Sequence, residues 1–181
     1  MNNFKEKYIK YKLKNLQIGG NLMPKFDNGN GDENVKRHLA LFEIVVYDGF
    51  NKRNYDIVKK IYDENFVMIM ANGFTSTGLS QYLKGRQLMF DLAPDFQVIS
   101  HGVQFGSGEW IAVTEVCTGT FTGITKDRHG NIISPTNRKF KFETCSLLRW
   151  KDNKIIEERF FSDEHNFKKQ IGIPDIDIFT D

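Results

Sequence analysis

The chain has 181 residues, of which 40% are hydrophobic and 16 are Phe, and its formal net charge at pH 7 is +2. This length and composition predict one globular domain with an aromatic interior, and they argue against global disorder. No apolar run is long enough to cross a bilayer, and the opening residues lack the apolar core of a secretory signal, so we expect no membrane span.

The charge is distributed unevenly along the chain. Residues 1–20 hold five Lys and one Glu, so they carry a net charge of +4 and the remainder carries −2. We therefore expect that the core domain does not bind nucleic acid, which requires a basic surface. The two cysteines, Cys117 and Cys145, follow no metal-ligand spacing, so we expect no metal site and a reduced, cytoplasmic protein.

Composition also divides the chain into segments. Residues 1–20 have aromatic residues at helical spacing between lysines, and two glycines end the pattern, which predicts a basic amphipathic leader. Residues 21–33 are rich in Asn and Gly and predict a flexible linker. We therefore place the folded domain at residues 34–173 and a C-terminal tail at 174–181.

Helices dominate the first half of the domain. Apolar residues at helical spacing predict a first helix that ends near Asn51 and a short second helix around residues 57–61. A strand is predicted over residues 67–70. The pattern is helical again over residues 80–92, and Pro94 ends it because proline cannot extend the hydrogen-bond ladder.

Beyond Pro94 the apolar residues alternate instead, as in strands. Four consecutive strands are predicted, beginning at Phe96 and then over residues 110–121, 139–150 and 154–163. Asp152 and Asn153 predict a tight hairpin turn between the last two strands. Helices followed by a meander of strands predict an α+β domain with an antiparallel sheet.

Four short stretches carry a family resemblance. They are Ala-Pro-Asp-Phe at 93–96, Gly-Glu-Trp-Ile-Ala-Val at 108–113, Thr-Gly-Thr-Phe-Thr-Gly at 118–123 and the last hairpin through 152–163. In order and spacing they resemble the nuclear transport factor 2-like superfamily. Within it, the chain is similar to the SnoaL-like polyketide cyclases and ketosteroid isomerase relatives over about residues 35–173.

The resemblance implies a cone-shaped, cystatin-like sheet that wraps around the three N-terminal helices and holds a small hydrophobic ligand in its mouth. It also implies a homodimer, no cofactor, and an Asp near the end of the last strand as general acid and base, which matches Asp163. Removing a proton next to a ketone requires a carboxylate in a dry pocket, where desolvation favours the protonated acid. The developing enolate then needs a hydrogen-bond donor.

The expected pocket combines aromatic walls with a few polar groups. Its candidate residues are Tyr47, Phe66, Phe90, Phe96, His101, Phe121, Arg159 and Phe161. Two of them depart from the family pattern, since Phe121 stands where cyclases usually have His and Arg159 where an aromatic is usual. Arg159, Phe161 and Asp163 share one face of a strand because they are two residues apart.

Simpler interpretations of these residues stay open. Asp163 is also placed to cap the following segment or to pair with Arg159, and a cation beside this carboxylate would make it a weaker base. His101 alternates with apolar residues and also fits an ordinary half-buried position. Tyr47 also fits simple packing against the sheet.

Two functions of different classes are compatible with these residues and with the resemblance. The first is a SnoaL-like domain that binds a small hydrophobic ligand, with cyclase or isomerase chemistry on a ketone. The alternative is a non-catalytic dimeric adaptor or virion-associated protein. Residues 8–20 resemble the Tyr/Lys/Leu-rich leader ending in Gly-Gly of Mimivirus-type giant-virus proteins, which implies host cytoplasm or the virion as the location.

Overall fold

A computed structural model describes residues 32–126 and 129–173 of the chain. The predicted leader at residues 1–20, nearly all of the linker and the tail at 174–181 lie outside the described residues. The first described helix begins at Glu33.

Helix α1 (Glu33–Glu43) begins at Asp32, whose carboxylate accepts hydrogen bonds from the backbone N–H groups of Asn34 and Val35 at 2.9 and 3.4 Å. An Asp at this position satisfies backbone donors that have no partner within the helix. The helix continues without a break as a π-helical segment (Ile44–Phe50). The predicted helix to about Asn51 is therefore confirmed, with a wider final portion.

The next elements are α2 (Tyr55–Ile61), β1 (Tyr62–Met70), β2 (Thr75–Thr77) and α3 (Leu79–Leu92). The three predicted elements are present, and β2 is an additional short edge strand paired with β1. Strand β1 begins directly after α2, several residues earlier than predicted. The first half of β1 contains consecutive polar residues, so it lacks the alternation of apolar and polar residues that predicts a strand.

Long strands follow as predicted. Strand β3 (Gln97–Ser107) turns into β4 (Trp110–Thr120), and the loop beyond contains a two-residue ribbon of β5 (Thr125–Lys126) and β6 (Ile132–Ile133).

Strands β7 (Lys139–Lys151) and β8 (Lys154–Ser162) then form a hairpin. Asp152 and Asn153 make its turn with φ angles of 49° and 59°, which confirms the predicted tight turn. The described part of the chain closes with α4 (Glu164–Ile171).

The six-stranded sheet has the order β2-β1-β8-β7-β4-β3, and helices precede it in the chain, which confirms the α+β class. One detail differs from the prediction, because β1 pairs with β8 in parallel and the sheet is therefore mixed. Alternation within each strand fixes which residues face the core but does not encode which distant strand is the neighbour.

The sheet curves around the helices. Its edge strand β3 has register shifts between Val98 and Ser100 and between His101 and Gln104, and such bulges bend a strand. The concave face packs on α1, the π-helical segment and α3 through a core of aliphatic and aromatic side chains. Within the described ranges, no helix is both long and apolar enough to span a bilayer.

Candidate functional site

A cavity of about 250 Å³ lies between α3, the π-helical segment and the concave face of the sheet. Its walls are mainly aromatic and thioether side chains, which suit an apolar ligand. The aromatic part includes Phe50, Phe90, Phe96, Phe142 and Phe160. Three methionines, Met68, Met70 and Met89, also contribute to the apolar lining.

A row of polar residues crosses the floor of this cavity on four adjacent strands. His101 of β3 pairs with Glu115 of β4, Glu115 pairs with Thr144 of β7, and Thr144 pairs with Ser162 of β8. Glu115, Thr144 and Ser162 line the cavity, whereas His101 lies behind Glu115. The pairing of the strands therefore aligns these polar side chains in one row within an otherwise apolar surface.

Glu115 is the ionisable carboxyl of this row, and only 4% of the residue is exposed. The Nε2 atom of His101 lies 3.6 Å from its Oε1 atom. The imidazole is held between Phe42 and Tyr47, whose ring centroids are 5.7 and 4.9 Å away. Such packing fixes the histidine beside the carboxyl group and excludes water from that side.

A second polar network joins α3 to strands β7 and β8. Arg86 donates from Nε and Nη2 to the hydroxyl oxygen of Tyr82, at 3.0 and 2.8 Å. The Tyr82 hydroxyl in turn donates to Oε2 of Glu158 at 3.3 Å, and Ser146 donates to its Oε1 at 2.8 Å. The cavity wall includes Tyr82 and Arg86, while Glu158 is buried behind them.

Burial shapes the protonation of this network. Loss of water raises the pKa of Glu158, while the Arg86 cation and the hydrogen bond from Ser146 oppose that rise. Burial likewise raises the pKa of Tyr82 far above its usual range, so this side chain stays a neutral phenol. The Cys117 thiol, also on the cavity wall, has its pKa raised to about 12, chiefly by burial.

The predicted pocket residues take four kinds of position, three of them within the fold. Phe90 and Phe96 line the cavity. Phe66 and Phe121 are fully buried in the core away from it. Tyr47 and His101 pack on each other outside the cavity lining, and His101 contacts two lining residues, Glu115 and Phe42.

Arg159, Phe161 and Asp163 lie on the opposite face of the sheet from the cavity. Arg159 donates to Glu157 at 3.0 Å, and Phe161 is 42% exposed. Asp163 is exposed and caps α4 by accepting from the backbone N–H of Asn166 at 2.9 Å, which confirms the capping interpretation. Asp163 therefore does not occupy the dry pocket that was expected. Side chains alternate between the two faces of a strand, so Ser162, the residue before it, faces the cavity instead.

Sequence reasoning missed four polar residues of the site, Tyr82, Arg86, Glu115 and Glu158. Glu115 had a signal, since it is the charged residue on the inward-facing side of an otherwise apolar strand. Glu158 and Arg159 are adjacent in β8, so their side chains lie on opposite faces of the strand. Tyr82 and Arg86 are four residues apart in α3 and therefore share a helix face.

Within residues 32–126 and 129–173, no three His, Cys, Asp or Glu side chains come close enough together to hold a metal ion.

Solved structures share this architecture. A proposed SnoaL-like polyketide cyclase from Jannaschia sp. CCS1 is 17% identical, with a TM-score of 0.67 over 86% of this chain and 99% of that one. IdmH, a proposed polyketide cyclase from Streptomyces antibioticus, is 19% identical, with a TM-score of 0.62 over 75% and 99% of the two chains. A Catenulispora acidiphila protein with a ketosteroid isomerase-like fold is 15% identical, with a TM-score of 0.58 over 84% and 96%.

Among curated proteins, no sequence match to this chain is found. The family of SnoaL-like polyketide cyclases matches residues 43–171, which span every element that builds the cavity from the π-helical segment to α4. With that match and the shared cone-shaped α+β fold, the chain belongs to the SnoaL-like polyketide cyclase family.

Proposed function

We propose that this protein binds a small hydrophobic ketone in its cavity and transfers a proton at the carbon next to the carbonyl group. The observation that carries the proposal is Glu115, a water-excluded carboxyl group in the wall of an aromatic cavity. A carboxyl group in such a place exchanges a proton with a bound ligand without competition from solvent. The reaction class is enolisation leading to cyclisation or isomerisation.

In this proposal Glu115 accepts the proton from the α-carbon and returns it to the product. The electron pair of the broken C–H bond moves into the enolate, whose oxygen requires a donor. The Ser76 hydroxyl group and Nη1 of Arg86, neither of which has a hydrogen-bond partner in the described part of the chain, supply donors in the same cavity wall. His101 is a positioning residue, since its contact with the ligand is through Glu115.

The test is the exchange of α-protons of 2-tetralone for deuterium in heavy water, followed by NMR. We expect the wild type to catalyse the exchange and Glu115→Gln to lose about a hundredfold or more in rate, the usual contribution of a general base. Glu157→Gln is the matched control, because Glu157 lies on the outer face of β8 and pairs with Arg159. If Asp163→Asn loses the exchange activity and Glu115→Gln keeps it, the general base is Asp163 and the proposal for Glu115 is wrong.

A homodimer is a separate proposal that exposed apolar side chains support. On the face of the sheet opposite the cavity, Ile99, Val103 and Phe105 of β3 are 50%, 41% and 48% exposed, and Phe161 of β8 adds to them. Exposed apolar groups on a sheet face favour association with another surface. Light scattering should show a dimer that Phe105→Asp converts to a monomer, and a monomeric wild type would contradict the proposal.

A further inference from the structure

Arg86 is a cation in the cavity wall whose hydrogen bonds are incomplete. Two of its donor atoms, Nε and Nη2, are both directed at the single oxygen of Tyr82. Nη1 has no hydrogen-bond partner in the described ranges, and it is not among the side-chain atoms closed off from solvent. This donor is therefore available to a molecule in the cavity.

Arg86 also lacks a direct counterion. It forms no ion pair with a carboxylate in residues 32–126 or 129–173, although Glu158 and Glu115 are near enough to interact with it electrostatically. The nearest acid in the network, Glu158, reaches it only through the Tyr82 hydroxyl group. A half-buried guanidinium without a directly bound anion is an unusual arrangement, because desolvated charges are normally paired.

The surroundings of the guanidinium also suit a flat anionic ligand. Its central carbon lies 5.1 Å from the ring centroid of Phe50 and 5.8 Å from that of Phe160, so aromatic faces border the open donor. Ser76, buried in the same wall, has a hydroxyl group without a hydrogen-bond partner in the described part of the chain. Burial also raises the pKa of Glu158, the acid that Arg86 reaches through Tyr82.

We infer that the ligand of this cavity is a small hydrophobic keto acid whose carboxylate binds Nη1 of Arg86. The inference rests on the proposed function, because it names the substrate class of the same site. The cavity volume limits the apolar part, since a void of about 150 Å³ holds benzene and one of 250 Å³ therefore holds roughly ten non-hydrogen atoms. One or two rings fit within that volume.

The experiment compares the binding of 1-naphthoate and its neutral amide, 1-naphthamide, to the full chain by titration calorimetry. We expect the carboxylate to bind about tenfold more tightly, as one charge-assisted hydrogen bond allows. Arg86→Met should remove that preference, while Lys84→Met, at an exposed cationic position of the same cavity, should keep it. Equal binding of the two compounds by the wild type would overturn the inference.

A second measurement needs no variant and guards against misfolding of Arg86→Met. In the wild type, the NMR signal of the Arg86 Nε–H group should shift on addition of 1-naphthoate and not on addition of 1-naphthamide. Identical shifts with both compounds would overturn the anion preference but leave ketone binding intact. Failure of both compounds and of 2-tetralone to bind would overturn the keto-acid inference together with the proposed function.

Discussion

Phe160 and Phe161 are adjacent in β8, yet their side chains lie on opposite faces of the sheet. Phe160 lines the cavity next to Arg86, whereas Phe161 is 42% exposed on the outer face. This alternation decides which residues of the last strand belong to the site. Ser162 follows Phe160 onto the cavity wall, and Asp163 follows Phe161 away from it.

The two phenylalanines make a matched pair of variants. Phe160→Ala should weaken the binding of 2-tetralone about tenfold or more, because burying an aromatic side chain against a ligand contributes about 1.5–3 kcal/mol. Phe161→Ala should leave the affinity unchanged. Calorimetric titration of both variants measures this, and equal losses in the two variants would show that β8 does not present Phe160 to the ligand.

Glu158 should make the stability of the protein depend on pH. Below its ordinary pKa of 4.5 the group is protonated in both the folded and the unfolded state. As the pH rises, the unfolded chain releases the proton first because burial raises the folded pKa, so folding loses up to about 1.4 kcal/mol per pH unit from this group. The loss ends once the pH exceeds the folded pKa.

The corresponding variant is Glu158→Gln, which cannot titrate. Urea unfolding of both proteins at several pH values above 4.5 should show the wild type losing stability relative to the variant as the pH rises. A difference that stays constant with pH would contradict the raised pKa of Glu158.

Tyr82 joins Arg86 to Glu158, so its hydroxyl group should matter for stability. Tyr82→Phe leaves the buried Glu158 and the partly buried Arg86 without this hydroxyl group, which should cost about 1–3 kcal/mol in the free energy of unfolding. Tyr55→Phe is the control, since the Tyr55 hydroxyl bonds Gln87 at the surface and should contribute less than about 0.5 kcal/mol. Equal effects in urea denaturation would contradict the network.

The β7–β8 turn offers a test of the backbone. Asn153 has a φ of 59°, in the left-handed region where a side chain without a polar group is strained. Asn153→Ala should therefore lower the free energy of unfolding by about 1 kcal/mol, whereas Asn153→Gly should maintain or raise it. If both variants have the stability of the wild type, the tight turn does not hold this strained backbone.

Local patterns were enough to predict most of the fold. The apolar spacing of the helices, the stop at Pro94 and the turn at Asp152 and Asn153 depend on residues close in sequence, and these were predicted. The parallel pairing of β1 with β8 depends on residues about ninety positions apart, as between Met68 and Glu158, and no local pattern carries it.

The site was harder to predict than the fold. Alternation correctly grouped Arg159, Phe161 and Asp163 on one face, but it does not say which face is inside when both carry apolar residues. The shared row of Glu115 and Thr144 depends on the register between two strands, which only the folded sheet shows. Spacing within a single strand therefore could not predict which polar side chains meet in the cavity.

The most direct test of the cavity as the binding site uses the methyl groups of the five methionines. Met68, Met70 and Met89 line the cavity, while Met1 and Met23 lie outside the described residues. In a protein with ¹³C-labelled methionine methyl groups, addition of 2-tetralone should shift the signals of the three cavity residues and leave the other two in place. Binding that leaves all three cavity signals unchanged would contradict the account.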